Sequence, residues 1–349
     1  MNINFTKLLA TTKTYPQKLT KLSLYSLVGL TFCLGLNGCG GAENQASGAV
    51  KAQEVAPKAT SSQEATKNLK TIKIAYLPIT HALPILALAQ EQELAAKHGL
   101  KIELVRYGSW PELLDALNTG HVDAAPVLAE LAMKAREQGL DLSAAASGHR
   151  DGNVFIASKD IKTAHDLKGK TIAIPHRQSS HYLLLLEVLK KAGLTKDDIK
   201  ITELAPAEMP SALASGQIAA YCVAEPFGAV AKVLDLGHVL YTSAELWPNS
   251  ICCLLVFNGK FLKQNPELAQ LFVKLYEQTG SELTDEAKAL KVASAYLKQS
   301  PAVLKESLTY ISFKDLQLKP ATYQDLAHRV QEAGLSTTPP AYEEFVLHE

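Results

Sequence analysis

Three short stretches recur in the same order about one hundred residues apart, and this repeat restricts the fold more than any other feature of the chain. Lys70-Thr71-Ile72-Lys73-Ile74 returns as Lys170-Thr171-Ile172-Ala173-Ile174. The run Lys101-Ile102-Glu103-Leu104 returns as Lys200-Ile201-Thr202-Glu203-Leu204, and Leu117 to Ala124 returns as Leu213 to Ala220. Within each copy, β-rich runs alternate with amphipathic helical ones, which predicts two lobes on one βαβαβ plan with parallel pairing and right-handed crossovers. The chain has 349 residues, more than the roughly 250–300 that one hydrophobic core serves, which also favours two lobes. The predicted fold class is α/β: two lobes, each a mostly parallel sheet flanked by helices, with a ligand cleft between them. In such sheets ligands bind beyond the carboxyl ends of the strands.

The spacing predicts a strand at 70–74, a helix over about 83–98 closed by Gly99, and a strand at 101–104. Ser109 and Glu112 stand three apart, as in a capping box, before a helix that ends at Gly120. Ser250 to Phe257 is an uninterrupted apolar run, as a central buried strand requires. Asn265-Pro266-Glu267 and Ser300-Pro301 read as helix starts. Leu268, Leu271, Phe272, Leu275 and Tyr276 form one helical face. The helical tail is expected to pack on lobe one.

The N-terminal end has a different character. Lys7, Lys13, Lys18 and Lys21 precede Leu22 to Leu36, fifteen uncharged and mostly apolar residues. That is short of the ~20 needed to span a bilayer, and it reads as a secretory signal. Leu36-Asn37-Gly38-Cys39 resembles the lipobox of bacterial lipoproteins, which implies lipidation of Cys39 and a body tethered outside the membrane. Residues 40–69 are rich in Ala, Gly, Ser, Gln and Lys and hold no aromatic residue, as a flexible tether does. The resulting division is a signal at 1–38, a lipidated tether at 39–69, the first part of lobe one at 70–156, lobe two at 157–246, and a return to lobe one with C-terminal helices at 247–349.

Lys and Arg number 35, equal to Asp and Glu at 35. With no long basic run, nucleic acid is excluded as a partner. Three cysteines remain after processing: Cys222, Cys252 and Cys253. An odd number with two adjacent is no disulfide framework. They read as buried thiols, with a metal or redox role for Cys252-Cys253 as the alternative. His81, His149, His176 and His181 could converge, but none shows a paired ligand spacing. No metal and no cofactor are expected.

The strand-end loops supply the candidate ligand-binding residues. Lobe one offers Thr80, His81, Ser109 and Trp110, and Asn153 precedes the crossover. Lobe two offers His176, Arg177, Gln178, Ser179, Ser180 and Glu225, and Trp247 precedes the crossover back. The His176–Ser180 loop opens a helix, where free N–H groups favour anions and Arg177 can add a bidentate contact. Glu225 would suit an ammonium or a ring N–H, or simply sit at a helix start. Arg177 and the two serines equally admit a purely structural reading, as solvated or capping residues.

Together these features resemble the substrate-binding proteins of ABC importers, in particular the nitrate, sulfonate and taurine group that also includes thiamine-pyrimidine binders. The matching segments are Ile74 to Pro78, Asp166 to Ala173, Gly193 to Ile199, and Ala224-Glu225-Pro226-Phe227. The resemblance implies a type II binding-protein fold and capture of a small polar or anionic solute without catalysis. It also implies delivery to a permease and ATPase by a monomer facing the periplasm or cell exterior. The alternatives are a binder of a thiamine-pyrimidine or similar heterocycle, or an enzyme on the same scaffold. Cys252-Cys253 does not reproduce the cysteine-rich motif of thiamine-pyrimidine synthase.

Overall fold

The structure, a computed structural model, describes residues 69–347. The signal segment, Cys39 and the tether up to residue 68 lie outside the described residues. Lobe one opens with β1 (Lys70–Tyr76), β2 (Leu100–Arg106), β3 (Ala124–Leu128) and β4 (Leu142–Ser147). The chain crosses through β5 (Arg150–Asp151) into lobe two. There it forms β6 (Asn153–Ser158), β7 (Thr171–Ile174), β8 (Lys200–Glu203), β9 (Ala220–Ala224) and β10 (Gly237–Thr242). It then returns to insert β11 (Cys253–Asn258) into the first sheet, and β12 (Ile311–Ser312) pairs with β5.

The two sheets repeat one another strand for strand. The first runs β2-β1-β3-β11-β4 and the second β8-β7-β9-β6-β10. In both, the three repeated strands pair in parallel, and the fourth, inserted from the other side of a crossover, pairs antiparallel. The repeat therefore extends to a pair that the sequence matches did not include: β6 and β11 begin one hundred residues apart. The expected cut between 156 and 157 falls inside β6. The change of sheet occurs at 148–152, and the return at 243–252.

Side-chain periodicity explains each strand's depth. In β1, buried Ile72 and Ile74 alternate with exposed Thr71 and Lys73. In β3 and β9 every residue is buried, as strands covered on both faces must be. The expected helix over 83–98 divides at Glu91, whose backbone leaves helical geometry, into Leu83–Gln90 and Gln92–Lys97. Ser109 does start the helix Trp110–Asn118, but its side chain makes no capping bond. The Asn265-Pro266 start opens the helix Pro266–Ser281, in which Phe272, Leu275 and Tyr276 are buried.

Helices Leu83–Gln90, Pro266–Ser281 and Glu286–Tyr296 share one core with β1, as expected for a tail returning to lobe one. The helix Pro320–Glu332 departs from that expectation. Its Arg329 Nη1 lies 3.4 Å from Glu187 of lobe two, while Thr337 just beyond it donates to Glu137 of lobe one at 3.3 Å. An amphipathic helix buries its apolar stripe wherever apolar surface is offered. Leu326 and Val330 accordingly join the core shared by both lobes. No helix among the described residues is long and apolar enough to cross a membrane.

Candidate functional site

The carboxyl ends of the central strands meet where the lobes face each other. The turn after β1 carries Thr80 and His81, and the helix after β3 carries Glu130. In lobe two the helix after β7 begins with Ser180 and His181, and β9 runs into Glu225. The crossovers bring His149 and Cys252-Cys253. All of these side chains are buried.

Two backbone carbonyls stitch the lobes together. Thr80 donates to the Glu225 carbonyl through both its backbone N–H (2.8 Å) and its hydroxyl (2.9 Å). The Gly152 carbonyl accepts from the Glu225 N–H (3.1 Å) and lies 3.0 Å from His81 Nε2. A carbonyl only accepts, so His81 carries its proton on Nε2 and, in the neutral ring, presents a lone pair on Nδ1. That Nδ1 lies 3.7 Å from Cys253 Sγ. Gly152 is required here: its φ is +83°, and an added Cβ would lie 2.9 Å from Ile311 and 3.1 Å from His81 Nε2.

Around this frame the sulfurs of Cys252 and Cys253 lie 3.9 Å apart. The rings of His81 and His149 stack with centroids 3.6 Å apart. One ligand atom from each of His81, His149, Cys252 and Cys253 can be chosen so that all four lie within 4.8 Å of one another.

Several polar atoms at this junction have no hydrogen-bond partner: both ring nitrogens of His181, the side-chain amide of Asn153, the Ser180 hydroxyl and Glu225 Oε1, while Glu130 and His149 have only poorly aligned ones. Each unmatched buried group costs about 1–3 kcal/mol, so a cluster of them marks a place built to be completed from outside the chain.

Burial sets the charges. It pushes the Glu225 carboxyl up to about 8, against the opposing hydrogen bond from the Ala229 N–H. Burial, and then the charge on Cys252, hold Glu130 well above the carboxylate range. His149 and His181 are lowered to about 4, by burial first and then by His81. Burial opposes ionisation of Cys252, but the Cys253 hydrogen bond, the fields of His181 and His81 and the His149 contact outweigh it and hold its thiol low. Cys253 is held high by burial and by its neighbour's charge. Burial therefore favours the neutral forms of the His149 and His181 rings and of the Glu130 and Glu225 carboxyls, while Cys252 is the more acidic of the two adjacent thiols.

The predicted site residues divide into two groups. Thr80, His81, Asn153, Ser180 and Glu225 lie buried at the junction, and Ser179 is buried beside it as the cap of the helix Ser180–Lys191. The others are used elsewhere. Arg177 is exposed and folded onto β8, donating from its guanidinium to the Ile201 carbonyl (3.2 Å) and from its backbone N–H to Glu203 (2.6 Å). These contacts place Arg177 at the rim of lobe two, against its edge strand. His176 accepts from the Gln178 N–H (3.0 Å), and the Gln178 side chain donates to the Leu335 carbonyl (3.3 Å). Trp247 is held by Asp325 (2.9 Å) beneath the Arg329 guanidinium. Trp110 is buried in the core of the molecule with its indole N–H unpartnered, and Ser109 is half-buried at its helix start.

Sequence reasoning left His149, His181, Cys252 and Cys253 outside the predicted site and did not single out Glu130. Their chain separations carry no motif. The signal available was position, since each sits beyond a strand end or inside a crossover.

The comparisons agree with this architecture. A profile described as the NMT1-like family matches residues 65–297. The ligand-binding component of an ABC-type import system from Staphylococcus aureus, crystallised with zinc bound, is 37% identical. The match covers 80% of this chain and 96% of that one, with a TM-score of 0.75. The periplasmic aliphatic sulphonate-binding protein of Escherichia coli shares the fold at 22% identity and a TM-score of 0.65, over 80% of this chain and 92% of that one. A bicarbonate-transport ATP-binding protein of Synechocystis is 32% identical over 51% of this chain, which spans only 30% of that relative's length. The chain belongs to the NMT1-like family and has the two-lobed fold of the periplasmic binding proteins.

Proposed function

We propose that the chain is the solute-binding component of an ABC-type importer, which captures a small polar solute between its lobes and hands it to a membrane permease driven by an ATPase. The observation that carries this reading is the set of buried polar groups from both lobes, unpartnered or poorly partnered, at the strand carboxyl ends. The close similarity to the Staphylococcus aureus import component, along nearly all of that protein's length, supports it. Secretion and lipidation at Cys39 complete the reading: the importer's capture subunit works outside the membrane and stays attached to it. Buried imidazole, thiol and carboxyl groups, with no guanidinium or ammonium among them, favour a solute engaged by donor atoms over an anion engaged by charge. The function is reversible capture without turnover.

Two experiments test this. Native mass spectrometry of the chain isolated from its own cells should show one small species per chain, released unaltered on denaturation. Chemical conversion of that species by the purified chain would overturn the reading in favour of an enzyme. Cys39→Ala should move the protein from the membrane fraction to the soluble one, and unchanged membrane association would remove the lipid anchor from the proposal.

A further inference from the structure

We propose that His81, His149, Cys252 and Cys253 form a four-coordinate site for a soft d10 metal ion, with Zn2+ the ion its donors fit, and that this ion is the solute on which the lobes close. The inference rests on the importer reading above and names its solute.

The geometry is close to that of a bound ion. Zinc takes Sγ at about 2.3 Å and imidazole nitrogen at about 2.0–2.1 Å, so donors at neighbouring corners of a tetrahedron stand roughly 3.3–3.8 Å apart. The two sulfurs at 3.9 Å and the Cys253 Sγ–His81 Nδ1 pair at 3.7 Å are near those values. All four donors lie within 4.8 Å of one another, so no pair must shorten by more than roughly 1–1.5 Å on coordination.

His81 is already oriented as a ligand. Its Nε2–H is fixed on the Gly152 carbonyl at 3.0 Å, the arrangement by which a backbone acceptor sets the tautomer of a metal-binding histidine and aims the other nitrogen. His149 supplies an independent sign. Its ring is fully buried, and the polar groups nearest its nitrogens, the Cys252 sulfur and the Asp151 backbone, stand outside good hydrogen-bond geometry, which is costly unless a ligand outside the chain engages one of those nitrogens. Two sulfurs and two imidazoles select zinc or cuprous copper over the hard oxygen-seeking ions.

The placement ties coordination to closure. His81 comes from the turn after β1, His149 from the first crossover, and Cys252 and Cys253 from the second, with Cys253 opening β11. An ion held by all four pins both crossovers to lobe one, and lobe two is reached through the Gly152 carbonyl, which holds His81 and also accepts from the Glu225 N–H, so coordination stiffens the hinge on which the lobes turn.

The test uses the full chain under reducing conditions after stripping with a chelator. Titration with ZnCl2 against a chromophoric chelator should show one equivalent bound. Titration with cuprous ion separates copper from zinc as the preferred cation, and tighter binding of copper overturns the assignment to zinc. CoCl2 in place of zinc should give the intense visible bands of a tetrahedral site and a thiolate-to-cobalt charge-transfer band in the near ultraviolet. Cys252→Ser, Cys253→Ser and His149→Gln should each weaken zinc at least about 100-fold, with the charge-transfer band reduced only in the cysteine variants. Far-ultraviolet circular dichroism identifies a variant that fails to fold, and then the cobalt spectrum of the wild-type chain alone decides. Absence of saturable zinc binding, or a cobalt spectrum without the charge-transfer band, overturns the inference. If the stripped chain ignores zinc but native mass spectrometry finds another small species, the metal site falls and the importer reading stands. If zinc binds through the thiolates but deletion of the gene leaves cellular zinc uptake unchanged, zinc as the imported solute falls. If the scattering radius also fails to change with zinc, the closure mechanism falls with it.

Discussion

Glu225 is the residue at which burial and chemistry conflict most. Its Oε2 accepts from the Ala229 N–H at 2.9 Å, and its Oε1 has no partner. With its pKa raised from the ordinary 4.5 to about 8, the native state holds a proton that the unfolded state has lost. Stability from this group is therefore complete below about pH 4.5 and falls as pH rises toward 8, by about 1.4 kcal/mol per unit. Glu225→Gln removes that slope and keeps the acceptor for Ala229. We expect the variant to be more stable than the wild type at pH 8, by an amount on the order of 4 kcal/mol, and equal to it near pH 4. Denaturant titrations across that range decide, and parallel profiles for the two proteins would refute the assignment. Glu225 was legible in the sequence because a strand end and a helix start fix its position. Cys252 and Cys253 were read as buried thiols, which they are, but nothing along the chain says that His81, some 170 residues away, supplies their neighbour. Gly152 is a second residue whose role only packing reveals. With φ at +83° and Ile311 within 2.9 Å of the would-be Cβ, Gly152→Ala should cost more than about 1 kcal/mol, measured as a drop in the urea midpoint at constant slope.

At the scale of elements, local patterns predicted type and order better than ends. The repeat located β1–β3 and β7–β9 because each alternates apolar and polar residues or runs apolar throughout, and those periods survive tertiary packing. Caps were less readable, because the same residue types fit several local hydrogen-bond schemes. Ser109 and Ser300 both precede a helix with Pro nearby, yet only Ser300 accepts a bond, from the Val303 N–H at 3.3 Å. A helix end loses stability only when a bond that exists is removed. Ser300→Ala should therefore cost about 1 kcal/mol, and Ser109→Ala no more than a few tenths. Thermal unfolding of the two variants makes the comparison, and equal losses would contradict the structural difference. The helix Pro320–Glu332 was the element least legible in the sequence. Its amphipathic face predicts that it packs but not against what, and Trp247 meets it through Asp325 and Arg329.

At the scale of the whole molecule, the closed arrangement depends on contacts of unequal weight. The Thr80 hydroxyl bond to the Glu225 carbonyl is fully buried. Such a bond contributes about 0.5–1.5 kcal/mol net. At the surface, Lys232 of the lobe-two helix Phe227–Val233 meets Glu306 of the C-terminal helix Pro301–Leu308 at 2.5 Å, with the lysine side chain 47% exposed. An exposed pair contributes roughly 0–1 kcal/mol and is screened by salt. A ligand can shift the lobes only by its differential affinity for the closed state. A weaker built-in latch must therefore appear as a weaker apparent affinity, because the fraction of competent chains falls. Thr80→Val removes the hydroxyl donor but leaves the backbone N–H bond to the same carbonyl. It should enlarge the ligand-free radius of gyration and lower affinity about fivefold, equivalent to ~1 kcal/mol, at low and high salt alike. Lys232→Ala should lower affinity less than threefold, and that loss should vanish in 1 M salt, where screening reaches about 3 Å. Small-angle scattering and calorimetry on the same samples decide. If Thr80→Val changes neither radius nor affinity, the buried bond does not hold the lobes, and closure must be set by the crossovers at 148–152 and 243–252 alone.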